Sequence, residues 1–321
     1  MEQSKVSITS YAAALRSFVV KDKHQNSIDV VLGFDNAKDY IDDKLIFGAS
    51  NGRYANRIGN GIVSLDGIQY QLNKNHGNHC IHGGERPFHS YNWKLVSLTS
   101  NSVCLSHVSP HLDMGFPGKL NATVTYTLNS GGRLSIEYTA ETDKPTVVNL
   151  SCHAYFNLSG HETGVEEIRK HYVQLLTDTY LKADNDSIVV GAESVNGKVY
   201  DLRSETVLGD VIDNVPGDLG FDTAYSYSGE FGSVIAKARS ERTGLQLEMK
   251  SNQPSVQFYN SGYVHNIRGK EGAIYQKNSG LCFEGQAWPN APNIKEAPSA
   301  VLRPDHKYYH HTEYRVFMYG S

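Results

Sequence analysis

Two residues of this 321-residue chain place an ionisable group where one is unexpected. His153 interrupts the apolar and aromatic run V-N-L-S-C-H-A-Y-F-N-L-S-G, and Glu284 follows Leu281-Cys282-Phe283 at the end of an apolar stretch. A charge in apolar surroundings needs a partner, or else it is neutralised through a shifted pKa. Glu284 is therefore either half of a structural ion pair with an arginine or a partly desolvated base. Histidine titrates closest to neutrality, so a partly buried one suits proton delivery. A core histidine satisfied by its neighbours would leave the same local pattern. Tyr155, two residues on and on the same face of a strand, is placed to orient the imidazole or to stack on a ring.

Two further segments are rich in hydrogen-bonding groups. In N-G-R-Y-A-N-R-I, Asn56-Arg57 sits beside apolar Ile58. A guanidinium anchored next to a buried position can aim its planar donor fork at vicinal oxygens, although a surface turn would also account for the segment. The run H-G-N-H-C-I-H-G-G-E-R-P-F-H holds His76, His79, His82 and His89 and invites a metal reading. Its Gly and Asn residues forbid the helix that would bring two histidines to one face, and no C-x-x-C or H-E-x-x-H pattern completes a ligand set, so no metal site is expected there. His82, just before Gly83-Gly84, reads as a hydrogen-bonding group at a tight bend that a ligand can approach closely.

The elements that must position these groups are strands. The chain has 20 tyrosines and 11 phenylalanines in a 39% hydrophobic composition, residues suited to a pleated, half-buried surface. Ile62–Leu65 and Ile68–Leu72 flank Asp66-Gly67, a hairpin signal. Leu120–Leu128 alternates strictly before the turn Asn129 to Gly132 and the alternating Leu134, Ile136 and Tyr138. Val234–Ala238 and Leu245–Met249 pair across Arg242-Thr243-Gly244, and further strand runs lie at Asp29–Leu32, Val103–His107, Tyr172–Leu176, Val256–Tyr259 and Tyr314–Tyr319. The best helix candidate is Asn36–Lys44, with Asp35 as its cap. No linker or composition shift interrupts the pattern, so one all-β domain over residues 1–321 is expected, a large antiparallel β-sandwich whose loops carry the chemistry.

Composition also excludes partners. A net charge of −4 with both signs interspersed offers no basic field for nucleic acid or an anionic membrane. Cys80, Cys104, Cys152 and Cys282 form no close pair and read as reduced and mostly buried. Met1–Lys23 lacks the basic start and continuous apolar stretch of a signal peptide, so a cytoplasmic setting is the default. The N-x-S/T matches at Asn149 and Asn157 flank His153, where a glycan would obstruct the site, and read as unused.

Taken in order, these segments resemble the galactose mutarotase, or aldose 1-epimerase, family over nearly the whole chain. The resemblance runs through V-V-L-G-F-D-N-A-K-D-Y (30–40), G-R-Y-A-N-R-I-G-N-G (52–61), I-H-G-G (81–84), F-P-G (116–118) and N-L-S-C-H-A-Y-F-N-L-S-G (149–160). It continues with G-F-D (220–222), Q-F-Y (257–259), F-E-G-Q-A-W-P-N-A-P-N (283–293) and L-R-P-D-H-K-Y-Y-H-H-T-E-Y (302–314). It implies a mutarotase-like supersandwich, His153 as general acid, Glu284 as general base, and Asn56, Arg57, His82, Asp222 and Gln257 as the residues that hold the hydroxyls and ring oxygen of a free monosaccharide. It implies no cofactor and no metal, and leaves monomer or homodimer open.

Two departures bear on sugar preference. Thr223-Ala224 stands where many relatives have His-Asn or His-Pro, and Gly285 where they commonly have Thr or Cys. Both are expected at the rim of the site. Three rival activities share the residues: a sugar-phosphate epimerase using Arg53 and Arg86, a non-catalytic sugar-binding protein, and a glycosidase pairing Asp222 with Glu284.

Overall fold

Alternating burial builds the sheets. In the computed structural model, which describes residues 4–227 and 231–320, Leu120–Asn129 pairs with Arg133–Thr142 over ten residues from Leu120↔Thr142 to Asn129↔Arg133. Leu120, Ala122, Val124 and Tyr126 point inward with Leu134, Ile136, Tyr138 and Ala140. The turn between the strands uses positive φ at Gly131 and Gly132, where an added Cβ at Gly132 would meet the Val316 carbonyl oxygen at 2.0 Å. Ile62–Leu65 and Ile68–Gln71 likewise close on Asp66-Gly67, both residues at positive φ, the backbone a tight hairpin requires.

Nine strands form one antiparallel sheet. Their order is Thr206–Val207, Tyr172–Leu175, Ala236–Arg239, Leu245–Ser251, Tyr308–Met318, Arg133–Thr142, Leu120–Asn129, Ser102–Ser109 and Lys94–Leu98. A second sheet of six runs Tyr155–Phe156, Leu281–Gln286, Ser255–Tyr259, Asp222–Ser226, Thr179–Ala183 and Val189–Ser194. The main core lies between them: Val124, Tyr126, Leu134 and Ile136 of the large sheet share one cluster with Val256, Phe258, Leu281 and Phe283 of the small one. This is the expected antiparallel sandwich. No helix among the described residues is long and apolar enough to cross a membrane.

Several boundaries differ from expectation. The helix expected over Asn36–Lys44 is a single 3₁₀ turn, Ala37–Tyr40, without a side-chain cap. Asp35 instead accepts the Glu271 N–H, and Asp43 accepts the N–H groups of Leu45 and Phe47, so local carboxylates hold the segment in turns. The strand expected at Asp29–Leu32 is Ser27–Asp29, and Thr179–Ala183, Val189–Ser194 and Asp222–Ser226 were not anticipated. Glu284 lies inside its strand, Leu281–Gln286, rather than at its end.

Candidate active site

Strand alternation decides what Glu284 faces. Leu281, Phe283 and Gly285 turn toward the large sheet: the first two join the main core, and a Cβ on Gly285 would meet Ser251 Oγ at 2.4 Å and Thr312 Oγ1 at 2.7 Å. Cys282, Glu284 and Gln286 therefore share the opposite face. Gly285 is thus not a rim residue, contrary to expectation: its missing side chain leaves room for the large sheet, not for a ligand.

His153 reaches Glu284 because the chain breaks its strand there. Ser151–Cys152 pairs with Ser50–Asn51, and Tyr155–Phe156 pairs with Cys282 and Leu281. Between them the His153 backbone is clamped, its N–H donating to Ala49 O and its carbonyl accepting from Gly48 N, each at 2.9 Å. The imidazole stacks on Tyr155 with centroids 4.9 Å apart and planes 25° apart, and Nε2 lies 3.6 Å from Glu284 Oε1. Tyr155 is itself fixed by donating its hydroxyl to Leu45 O. Both members of the pair are buried.

Burial shifts the two in opposite directions. It pushes His153 down to about 4 against a hydrogen bond to its own backbone carbonyl, and it pushes Glu284 well above the carboxylate range, helped by the negative charge of Asp222. Burial thus favours the uncharged form of each, while the 3.6 Å contact between the two favours the imidazolium–carboxylate form.

Four of the expected binding residues form a closed polar ring. Asn56 Nδ2 donates to Gln257 Oε1 at 3.2 Å, Gln257 Nε2 donates to Asp222 Oδ1 at 2.6 Å, and Arg57 Nη2 stands 3.7 Å from Asp222 Oδ2. Asn56 Oδ1 closes the circuit by accepting the Arg57 N–H at 2.8 Å. Arg57 Nε and Gln286 Oε1 are buried without a hydrogen-bond partner in the protein. His82 sits at positive φ before Gly83 and Gly84, the tight bend expected, and its Nδ1 accepts the Asn56 N–H at 3.2 Å. That bond leaves the proton of a neutral imidazole on Nε2, and burial keeps the ring neutral by lowering its pKa well below the usual value.

All eight residues singled out from the sequence, Asn56, Arg57, His82, His153, Tyr155, Asp222, Gln257 and Glu284, line one cavity of about 530 Å³. Asp43, His89, Tyr259 and Tyr263 also line it and were not assigned a binding role from the sequence. A second cavity of about 380 Å³ shares Asn56, Arg57, Asp222, Gln257 and Tyr263 with the first and is lined by Thr223. Arg53 is excluded from phosphate binding: it is buried, and its guanidinium donates to Ser109 Oγ and to the carbonyls of Ser109, Pro110, Pro117 and Gly118. This cradle accounts for the F-P-G segment. Asn149 and Asn157 are fully buried, with side-chain amides donating to Ala55 O and Ser279 O, so neither side chain is accessible to a glycan in the fold.

The family model for aldose 1-epimerase matches residues 1–315. The chain belongs to the aldose 1-epimerase family. Among curated members it is 38% identical to galactose mutarotase of Sus scrofa, covering 98% of this chain and 92% of the relative. It is 33% identical to aldose 1-epimerase of Escherichia coli, covering 97% and 91% respectively. A crystal structure of the GalM/aldose epimerase homologue from C. elegans superposes with a TM-score of 0.92 at 29% identity, covering 99% of this chain and 96% of that one. The supersandwich of this aldose 1-epimerase family member thus follows from both sequence and coordinates.

Proposed function

We propose that this protein is an aldose 1-epimerase, an isomerase interconverting the α and β anomers of free aldohexoses such as galactose and glucose. Ring opening of the hemiacetal requires loss of the C1 hydroxyl proton and protonation of the ring oxygen. Glu284, as carboxylate, takes the first proton while His153, as imidazolium, gives the second. Arg57 and His82 supply donors beside the ring oxygen, and Asn56, Asp222 and Gln257 hold the remaining hydroxyls. Rotation about the C1–C2 bond then presents the other face of the aldehyde, and the reversed transfers close the ring. The observation that carries this reading is the buried 3.6 Å His153–Glu284 pair lining the same cavity as the polar ring, an acid and a base within reach of one sugar.

The residues form one domain in this reading, since the main core runs from Ala13 to Val316. A cytoplasmic setting is supported by four cysteines that are all free, with the partner a free monosaccharide and the protein a monomer or homodimer. Polarimetry of freshly dissolved α-D-galactose and α-D-glucose tests activity and preference together. Enzyme should speed the drift to equilibrium, and Glu284→Gln should lose ~10²–10⁴-fold in kcat while calorimetry still detects galactose binding. A near-normal rate in that variant would sink the assignment.

A further inference from the structure

One side chain on the cleft-facing side of the Glu284 strand has no part in the proton transfers above. Cys282 lies two residues before Glu284, and its register partner Tyr155 lies two residues after His153. The arrangement places the Cys282 thiol 3.7 Å from His153 Nδ1, whereas the Glu284 carboxylate stands against Nε2 of the same ring. Nitrogen, sulfur and oxygen donors from the three side chains all lie within 4.8 Å of one another, and all three residues are buried.

Tetrahedral zinc with bonds of ~2.0–2.3 Å holds its ligand atoms about 3.3–3.6 Å apart. The thiol–imidazole and imidazole–carboxylate contacts already approach that spacing, on different ring nitrogens. A cation takes one nitrogen, and the third ligand closes by about 1 Å through side-chain rotation. The donor set selects the metal: a thiolate, an imidazole and one carboxylate suit a soft or borderline cation, whereas magnesium and calcium require shells built from oxygen. Asp222, the nearby carboxylate, is engaged by Gln257 and faces Arg57, so it does not turn the cluster into an oxygen site. The fourth corner of the tetrahedron is left to water, as in zinc sites with three protein ligands.

We propose that His153, Cys282 and Glu284 form a site for a thiophilic divalent cation, zinc or cadmium, whose occupation shuts the enzyme off by taking both proton-transfer groups. The cation displaces the thiol proton and any proton on the carboxyl to solvent and uses an imidazole lone pair. Metal and sugar are then mutually exclusive. The inhibitory consequence rests on the proposed epimerase reaction, whereas the site itself does not.

Cadmium provides a readout independent of activity, because a cadmium–thiolate bond gives an ultraviolet charge-transfer band. Titrating cadmium chloride into the full-length protein should produce this band at one equivalent, and saturating galactose should suppress it. Micromolar zinc chloride should inhibit mutarotation competitively with galactose, with full recovery on adding a chelator. Cys282→Ala should retain most of its mutarotation, lose the band attributable to this site, and need about a hundredfold more zinc for inhibition, since even outer partners of a metal site are worth ~10–100-fold in affinity. No band at one equivalent, a band indifferent to galactose, or zinc inhibition unchanged in Cys282→Ala would overturn the proposal. If that variant fails to fold, galactose suppression of the band in the unaltered protein decides. Absence of mutarotation in the wild type would instead reject the functional reading, leaving the one-equivalent cadmium band and its loss in Cys282→Ala to judge the site.

Discussion

The two faces of the Leu281–Gln286 strand are equally buried and do opposite work. On one side Leu281 and Phe283 pack among the aromatic residues of both sheets, Phe283 stacked on Phe258 with centroids 5.2 Å apart. On the other, Cys282, Glu284 and Gln286 are buried with titratable and amide groups at their tips. Low exposure alone therefore does not separate core from active site. On this strand the difference lies in the chemistry of what is buried. The core face is apolar and closed, while the cleft side keeps Gln286 Oε1 and Arg57 Nε unpaired and holds Glu284 away from its ordinary ionisation.

The sharpest test exchanges function against stability at Glu284. Besides its loss of kcat, Glu284→Gln should melt at or above the wild-type temperature at pH 8 in a calorimetric scan. The sign follows from the raised folded-state pKa. The folded protein retains a proton that the unfolded chain releases above ~4.3, so wild-type stability falls as pH rises through that window, and the amide removes the loss. His153 acts in the reverse sense: its folded value near 4 makes its contribution grow between about 4 and ~6.5. A variant both inactive and clearly less stable would break the comparison.

On the core side the outcome should invert. Phe283→Ala should cost about 3–5 kcal/mol in a denaturant titration, with the KM for galactose in the folded fraction near wild type. Gly285→Thr should come next, destabilising by about 1–3 kcal/mol through overpacking against Ser251 and Thr312, with the sugar preference unchanged. A shift in galactose-to-glucose preference in this variant would return position 285 to the rim. The smallest effect belongs to Thr223→His, which adds a polar group beside the second cavity and should change KM by only a few-fold, with kcat preserved.

These faces also show what the sequence revealed. Asp66-Gly67 and the strict alternation of Leu120–Asn129 were legible because turn chemistry and a period of two are local properties. His153 and Glu284 stood out as ionisable groups in apolar company, and the ordered family motifs supplied residues that meet only in space. Gly285 was misplaced because ending the strand at Glu284 leaves the next residue in a loop. Extending it to Gln286 turns that residue to the other sheet. Thr179–Ala183 and Val189–Ser194 went unseen because they are short and interrupted by Lys182, Gly191 and Glu193, and their place is set by pairing across the sheet. Cys282 looked like any buried cysteine, since nothing local to L-C-F-E reports the imidazole beside it.

The polar ring of Asn56, Gln257, Asp222 and Arg57 satisfies much of its own hydrogen bonding before any sugar arrives. The proposed substrate and product differ at a single carbon, beside the His153–Glu284 pair, and present the same remaining hydroxyls to the ring. Such a holder gives both anomers the same grip away from C1, so the two should bind with similar affinity. Because the empty ring keeps its own hydrogen bonds, the departing sugar gives up contacts that the protein can remake within itself.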